Sequence, residues 1–227
     1  MAPRTSDRKI IALSNPKSPI SESYVKLRTN IELSAVDEPI QVIMVTSASP
    51  GEGKSTTAVN LAVVYAQAEK KVLLIDADLR KPAVHRYFML SNRTGLTSLL
   101  TSRTSKLEAI VEGAVPHLEV MTSGPVPPNP SELLASRKMS SYIEEFRKEY
   151  DVIIIDTPPL NAVADAQIIA PIVDGTLLVL QSGSVKKDHA LRAKQALELA
   201  KTRILGVVLN NVERKQAEDY YYYYYGE

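Results

Sequence analysis

Residues Ala48-Ser49-Pro50-Gly51-Glu52-Gly53-Lys54-Ser55-Thr56 lie between the apolar run 42–45 and the largely apolar segment 58–62. This order predicts a strand, a phosphate-binding loop and a helix. In such a loop, backbone N–H groups converge on phosphate oxygens, and small residues let the main chain approach them closely. Ala48 occupies a position where the usual pattern has glycine. The sequence therefore predicts a site for a nucleoside triphosphate with the following binding residues: Gly51, Glu52, Gly53, Lys54, Ser55 and Thr56.

Carboxylates follow two other apolar runs of the chain. Asp76 and Asp78 come after the run 72–75, and Asp156 comes directly after Val152–Ile155. Mg²⁺ in nucleotide sites is held by a loop hydroxyl, here Ser55, together with an aspartate at the end of a neighbouring strand. We therefore expect Asp156 to bind the metal opposite Ser55, and the alternative is an aspartate that caps the following turn.

Asp76 and Asp78 project to the same side of an extended segment, so both are expected to face the phosphates. One would complete the metal shell, and the other would accept a proton from an incoming hydroxyl. Lys54 would bridge the outer phosphates. The candidate catalytic residues are therefore Lys54, Asp76 and Asp78, and the cofactors are ATP and Mg²⁺.

Composition limits the classes of protein to which the chain can belong. With 227 residues, of which 44% are apolar, it is long enough for a single domain with one sizeable core. The net charge of +1 gives no reason to expect a nucleic-acid partner. The absence of cysteine excludes disulfide scaffolds and iron–sulfur carriers. No apolar segment approaches the length of a membrane helix, so we expect a cytoplasmic protein that reaches the inner face of the membrane only through a partner.

Apolar runs and helical patterns alternate along the chain, which predicts an α/β fold with a mostly parallel sheet and helices on both faces. Together with the phosphate loop, this order resembles the P-loop NTPase architecture of partition ATPases. Three regions are expected: an N-terminal arm over 1–19 that is mobile or loosely docked, a P-loop domain over 20–211 that includes an N-terminal interface helix, and a tyrosine-rich tail over 212–227. The helices are predicted at about 21–34 with Ser21 as N-cap, from the phosphate loop to about 69, at 131–150, at 162–173 and at 188–202 with Asp188 as cap. The strands are predicted at 41–46, 71–75, 118–121, 152–155, 176–180 and 204–209, with short helices and turns over 82–113 and a rigid loop over 124–130.

The phosphate loop, the Asp76-Ala77-Asp78-Leu79-Arg80 motif, the run ending at Asp156 and the terminal tyrosine cluster resemble the bacterial tyrosine kinases of polysaccharide synthesis, in the form with a separate cytoplasmic kinase chain. The resemblance runs from roughly Ser14 to the end of the chain. It implies that Lys54 and Ser55 bind phosphates and Mg²⁺, that Asp76 is the base, and that Asp78 and Asp156 organise the metal. It also implies autophosphorylation in trans at these residues: Tyr220, Tyr221, Tyr222, Tyr223, Tyr224 and Tyr225.

The same resemblance implies several partners. These are a transmembrane modulator, further copies of the chain in a ring, protein substrates of polysaccharide synthesis or export, and a phosphotyrosine phosphatase. The family's ring forms through a Glu-x-x-Arg-x-x-Arg helix. Here Glu22 and Arg28 match the outer positions, but Val25 replaces the middle arginine, so the expected interface lacks one ion pair. A solvated helix face is the alternative for Glu22 and Arg28.

Two other functions remain as alternatives. A partition or positioning ATPase would usually carry a lysine at the second loop position, where this chain has Ser49. A scaffold whose assembly ATP controls would need no acceptor tyrosine. A GTPase is disfavoured because the last strand leads into Asn210-Asn211-Val212-Glu213 rather than a guanine-recognition motif, and Asn210 is instead a candidate contact for adenine.

Arg80 is expected either to neutralise charge on a phosphoryl group or to lie on a solvated turn.

Overall fold

The computed structural model describes residues 9–34 and 39–212, and within them seven strands form one sheet. The spatial order is β3-β4-β2-β5-β1-β6-β7. Every neighbouring pair is parallel except β3 and β4, which are antiparallel. The strands are β1 Val42–Ser47, β2 Val72–Asp76, β3 Ile110–Glu112, β4 Leu118–Met121, β5 Val152–Asp156, β6 Gly175–Gln181 and β7 Ile204–Asn210. The predicted mostly parallel sheet is confirmed.

Helices cover both faces of this sheet, as predicted. One face packs against the first three helices, and the other face packs mainly against the helices of the second half of the chain. The helices are α1 Ile11–Ser14, α2 Pro19–Leu33, α3 Lys54–Ala66, α4 Val84–Tyr87, α5 Leu96–Leu100, α6 Lys106–Ala109, α7 Pro130–Leu134, α8 Arg137–Phe146, α9 Asp165–Ile169 and α10 Lys187–Leu199, with a 3₁₀ turn at Ala170–Ile172. Strand β5, aliphatic and wholly buried, has one core on each of its faces.

The order of the strands places the predicted site residues at one edge. Strand β5 lies between β1 and β2, and its last residue, Asp156, is the partner of Val45 on one side and of Asp76 on the other. The phosphate loop follows β1 directly. Because the carboxyl ends of parallel strands meet at the same edge of a sheet, the loop and the two aspartates come together there.

The first described residues are packed against the domain. Ile10 and Ala12 are buried, and the backbone N–H of Ala12 donates to Oδ1 of Asn60 in α3 at 3.0 Å. The prediction of a mobile or loosely docked arm is therefore wrong for residues 9–14. Helix α2 also begins earlier than predicted, since Ser18 is the N-cap, its hydroxyl accepts from the N–H of Ser21, and Pro19 fixes the first turn.

Two predicted helices are interrupted. The amphipathic segment 131–150 forms α7 and α8 rather than one helix, because Ser136 adopts an extended conformation and its hydroxyl accepts from the N–H of Met139. The segment 162–173 contains only α9 and the 3₁₀ turn, in which Pro171 lacks the N–H that would continue the helix.

The predicted cap of α10 is displaced. Asp188 lies inside the first turn of α10, whose N-cap is Lys186.

The region 82–113 contains three short helices, as predicted, but it also contains strand β3. This strand is three residues long and two of its residues are exposed, so it lacks the buried apolar run that marks the central strands. Across the described residues, no helix has the length and hydropathy needed to span a membrane.

Candidate functional site

The phosphate loop has the backbone conformation that its glycines predict. Gly51 and Gly53 have φ values of +86° and +96°, in the left-handed region that side chains disfavour. At Gly53, an added Cβ would also lie 1.9 Å from Nδ2 of Asn210. Helix α3 begins immediately afterwards at Lys54, so the free N–H groups of its first turn lie next to the loop. This arrangement provides an anion-binding cradle at a helix N-terminus.

Lys54 is held between two aspartates at the edge of this cradle. Its Nζ donates to Oδ2 of Asp78 at 2.8 Å and lies 3.6 Å from Oδ1 of Asp156, and it also contacts the hydroxyl of Ser55 at 3.2 Å. Burial acts to lower the pKa of Lys54, but the charges of Asp156 and Asp78 outweigh it and raise the pKa above its ordinary value. The ammonium group therefore stays charged where the phosphates of a nucleotide would lie.

Asp156 is a buried carboxylate with unused acceptor capacity. Its side chain is 0% exposed, and neither of its oxygens makes a hydrogen bond. Burial raises the pKa of Asp156, with Lys54 acting in the opposite direction. A buried acceptor without a donor normally has a missing partner such as an ion or water. An oxygen ligand of this kind beside Ser55 and Asp78 fits Mg²⁺.

The described part of the chain contains no preformed cluster of three or more His, Asp or Glu side chains arranged to hold a metal. Mg²⁺ in nucleotide sites usually keeps several waters and takes only one or two carboxylates, together with phosphate oxygens from the substrate. The residues present here are therefore compatible with Mg²⁺ that is bound jointly with a nucleotide.

Asp76 is fully buried at the end of β2, and backbone donors surround it. Its Oδ2 accepts from the N–H groups of Ala83 and Val84, both at 3.0 Å, and its Oδ1 accepts from the N–H of Asp78 at 3.2 Å. Burial, followed by the charge of Asp156, raises the pKa of Asp76 to about 7. This carboxylate thus fixes the loop that follows β2, and its elevated pKa is in the range that suits a general base.

Asn210 and the side chain of Glu52 hold the backbone of the phosphate loop. Nδ2 of Asn210 donates to the backbone carbonyl of Glu52 at 3.1 Å, which joins the end of β7 to the loop. The buried carboxylate of Glu52 accepts from the N–H of Ser49 at 2.9 Å. Thr56 lies in the first turn of α3, with its hydroxyl 2.7 Å from that of Tyr87. Asn210 was predicted as an adenine contact, and the structure places it against the loop backbone.

Arg80 belongs to an ion-pair cluster that the sequence did not reveal. Its Nε and Nη2 donate to the two oxygens of Asp165 at 2.8 and 3.0 Å, and Ser131 joins both groups. Arg80 thus lies on an exposed turn, with its side chain 38% exposed, and its guanidinium is held there by the buried Asp165. Asp165 has the sequence signature of an ordinary acidic residue in a first helical turn, so no local pattern identifies its partner.

The predicted interface residues on α2 have different surroundings. Glu22 is exposed in the first turn, whereas Nη1 of Arg28 donates to the backbone carbonyl of Val64 at 2.8 Å, near the end of α3. Arg28 also lies 3.9 Å from Glu32 on its own helix. The predicted acceptors Tyr220–Tyr225 lie outside the described residues.

Comparison with known proteins places this geometry in a family. A family model described as an AAA domain matches residues 40–184. The tyrosine-protein kinase YwqD of Bacillus subtilis (strain 168) is 51% identical over 213 residues, which cover 94% of this chain and 90% of YwqD. The crystal structure of the chimerical protein CapA2B2 superimposes with a TM-score of 0.88 at 43% identity and covers 90% of each chain.

A more distant similarity concerns the fold alone. The cell division ATPase MinD of Pyrococcus furiosus has a TM-score of 0.65 at 24% identity and covers 79% of this chain. The predicted P-loop architecture of the partition-ATPase type is thereby confirmed. The extent and identity of the match to YwqD go further, and the chain belongs to the family of bacterial tyrosine-protein kinases.

Proposed function

We propose that this chain is an ATP-dependent protein-tyrosine kinase that phosphorylates Tyr220–Tyr225 of a neighbouring copy and proteins of polysaccharide synthesis or export. The observation that carries the proposal is the position of Lys54 at the N-terminus of α3, between Asp78 and Asp156. The carboxylate oxygens of Asp156 have no hydrogen-bond partner. A cation and unused carboxylate oxygens beside an anion cradle suit phosphoryl transfer, which depends mainly on positioning and charge neutralisation.

Each residue has a role in this proposal. Backbone N–H groups of the loop 51–53 and of the first turn of α3 bind phosphate oxygens, and Lys54 moves from Asp78 toward the outer phosphates when the nucleotide arrives. Ser55, Asp78 and Asp156 would hold Mg²⁺. When bound, the metal would neutralise charge on the phosphates.

Asp76 is the proposed base for the acceptor phenol. The tyrosine oxygen forms a bond to the γ-phosphorus, the bond from that phosphorus to the bridging oxygen of ADP breaks, and the phenolic proton passes to a carboxylate oxygen of Asp76. Oδ1 of Asp76 has a single backbone donor at 3.2 Å, so it retains a lone pair for this proton. The pKa of about 7 gives the carboxylate an appreciable affinity for the proton near neutral pH.

The acceptor is proposed from the sequence of the tail, where six consecutive tyrosines follow Glu218 and Asp219. Each phosphorylation adds about −1.5 to −2 charges. A phosphorylated tail is therefore repelled from a site that already holds ATP phosphates and three aspartates. We expect the unmodified tail to dock on a neighbouring copy and stabilise a ring, and phosphorylation to release it.

The remaining partners are proposed by analogy with the family. A transmembrane modulator would recruit the chain to the inner face of the membrane and activate it, and a phosphotyrosine phosphatase would reverse the modification. Glu22 and Arg28 are proposed to contribute to contacts between copies.

The deciding experiment compares the full chain with Lys54→Met and with a variant in which all six tail tyrosines are phenylalanine. Phosphotyrosine is located by mass spectrometry, and free phosphate is measured in the same reactions, with and without the cytoplasmic segment of a modulator. We expect tail phosphotyrosine only in the parent chain. Equal modification of the Lys54→Met protein would refute autophosphorylation, and release of free phosphate without phosphotyrosine would instead favour an ATPase.

A further inference from the structure

Asp165 is a buried carboxylate outside the phosphate cradle, and its partners come from the loop after β2 and from helix α7. It is 0% exposed, and its oxygens accept from Nε and Nη2 of Arg80 at 2.8 and 3.0 Å. The hydroxyl of Ser131 donates to the same carboxylate at 2.7 Å and accepts from Nη2 of Arg80 at 2.9 Å. The three side chains form a closed set of hydrogen bonds, which we call the Arg80 clasp.

The Arg80 clasp connects the loops that carry the candidate metal ligands. Arg80 lies two residues after Asp78 in the loop that follows β2, and Asp165 begins α9, after the loop that follows Asp156 at the end of β5. Ser131 lies in the first turn of α7. A bidentate arginine–carboxylate pair fixes distance and orientation together, so the clasp limits the relative movement of the two loops.

Asp78 has a particular need for such support. Asp76 and Asp156 are the last residues of adjacent strands and are aligned by the sheet, but Asp78 lies beyond the end of β2. Among its side-chain contacts are Nζ of Lys54 at 2.8 Å and the N–H of Lys81 at 3.0 Å. If Lys54 moves to the phosphates, Asp78 loses a principal contact.

We propose that Asp165 is a positioning residue of the kinase site which, through Arg80, keeps Asp78 in place beside Asp156 when a nucleotide and Mg²⁺ bind. The inference rests on the proposed function for its effect on catalysis, and on the geometry of the two loops for its effect on binding. It predicts that loss of the Asp165 charge weakens the Mg²⁺-dependent part of nucleotide affinity and leaves the Mg²⁺-independent part unchanged, because the phosphate loop itself is untouched.

The chain offers a matched control in a second bidentate pair. Nη1 and Nη2 of Arg147 donate to the two oxygens of Asp174 at 2.9 and 2.7 Å, next to the start of β6 at the opposite end of the sheet. Asp165→Asn and Asp174→Asn make the same chemical change in two similar pairs, and Arg80→Lys and Arg147→Lys form a second matched set. A loss of general stability would appear in both sets, whereas a loss of positioning would appear only at the Arg80 clasp.

The test measures the affinity of the full-length variants for a fluorescent ADP analogue, with Mg²⁺ and with EDTA, beside thermal unfolding and kcat at saturating ATP. We expect Asp165→Asn and Arg80→Lys to lose about 10- to 100-fold in Mg²⁺-dependent affinity and in kcat. Neither Asp174→Asn nor Arg147→Lys should do so. Equal effects in both sets, or unchanged Mg²⁺ dependence at folded Asp165→Asn, would overturn the inference. If the parent chain transfers no phosphate to tyrosine, the proposed function fails, and the ADP measurements still decide the role of Asp165.

Discussion

Asp76 and Asp156 are partners on the adjacent parallel strands β2 and β5, so two buried carboxylates lie side by side at the edge of the sheet. Their surroundings are opposite. Asp76 accepts three backbone N–H groups, whereas neither oxygen of Asp156 makes a hydrogen bond. Asp156 has the ion pair with Nζ of Lys54 at 3.6 Å, yet burial still raises its pKa, so the charged form of Asp156 opposes folding, as expected for a residue that binds a ligand.

Replacement of Asp156 by asparagine should therefore separate stability from binding. We expect Asp156→Asn to leave the free energy of unfolding unchanged or slightly higher, because the raised pKa of Asp156 means that, even with Lys54 beside it, the fold favours the uncharged form. The same variant should lose Mg²⁺-dependent ADP affinity. Urea unfolding and titration with a fluorescent ADP analogue measure the two quantities.

Asp78→Asn is the control for that experiment. It removes the charge that contacts Lys54 at 2.8 Å, so this variant should lose stability as well as Mg²⁺-dependent affinity. A clear destabilisation of Asp156→Asn without Mg²⁺ would mean that its carboxylate supports the fold, and our interpretation of this residue would be wrong.

The two glycines of the phosphate loop make a second matched pair. Both have positive φ, so alanine at either position should cost about 1–2 kcal/mol in unfolding free energy. An alanine Cβ at Gly51 would meet nothing within 4 Å, whereas at Gly53 it would lie 1.9 Å from Nδ2 of Asn210. We expect Gly53→Ala to lower the unfolding free energy more than Gly51→Ala does, and to weaken ADP binding more.

The double variant Gly53→Ala with Asn210→Ala identifies the cause. Removal of the Asn210 amide relieves the close contact but not the backbone strain, so the double variant should approach the stability of Gly51→Ala. If Asn210→Ala does not recover any stability in the Gly53→Ala background, the contact between Asn210 and the loop does not constrain this position.

The sequence predicted the central part of the site because strand ends are local features. An aliphatic run followed by Asp156, or by Asp76, identifies the end of a buried strand, and a parallel sheet then brings these ends together. Asp165 and Asn210 could not be placed in this way. Their partners come from loops far away in the chain, and only the strand order determines which loops meet.

The errors in the predicted helices have a similar origin. The apolar spacing of 131–150 is compatible with one continuous helix, and it does not show that the hydroxyl of Ser136 caps a new helix at Arg137. In the same way, the polar composition before Ile10 does not show that Ala12 will bind to Asn60. Both outcomes depend on tertiary contacts that compete with local preference.

Stability should depend on pH through Asp174. Burial opposes ionisation, but hydrogen bonds from Arg147 and from the N–H groups of Val42 and Gln41 lower the pKa of Asp174 below its ordinary value. A carboxylate whose pKa is lower in the folded state stabilises the fold above its unfolded pKa of about 3.9, and this contribution is lost as the pH falls through the folded pKa. We expect the difference in unfolding free energy between the parent and Asp174→Asn to be constant at pH 5–7 and to shrink below pH 4. Urea unfolding of both proteins across this pH range measures the difference in unfolding free energy. A difference that grows on acidification would contradict the assigned role of Asp174.

Arg28 is predicted from the sequence to lie between subunits, but its guanidinium already has a partner within the chain. Nη1 of Arg28 donates to the carbonyl of Val64 near the end of α3, and its side chain is only 20% exposed. Removal of a charged hydrogen bond to a helix end usually costs about 1.5–3 kcal/mol. We therefore expect Arg28→Ala to lower the unfolding free energy of the isolated chain by an amount near the lower end of that range.

Glu22→Ala provides the comparison, since Glu22 is exposed and should change stability by less than about 0.5 kcal/mol. Sedimentation of both variants measures assembly, and urea unfolding measures the stability of the monomer. If Glu22→Ala dissociates the oligomer while the monomer stays stable, α2 contributes to an interface through its exposed face, and Arg28 acts by holding α2 on α3. If Arg28→Ala dissociates the oligomer without any loss of monomer stability, the contact with Val64 is energetically unimportant and Arg28 acts directly between subunits.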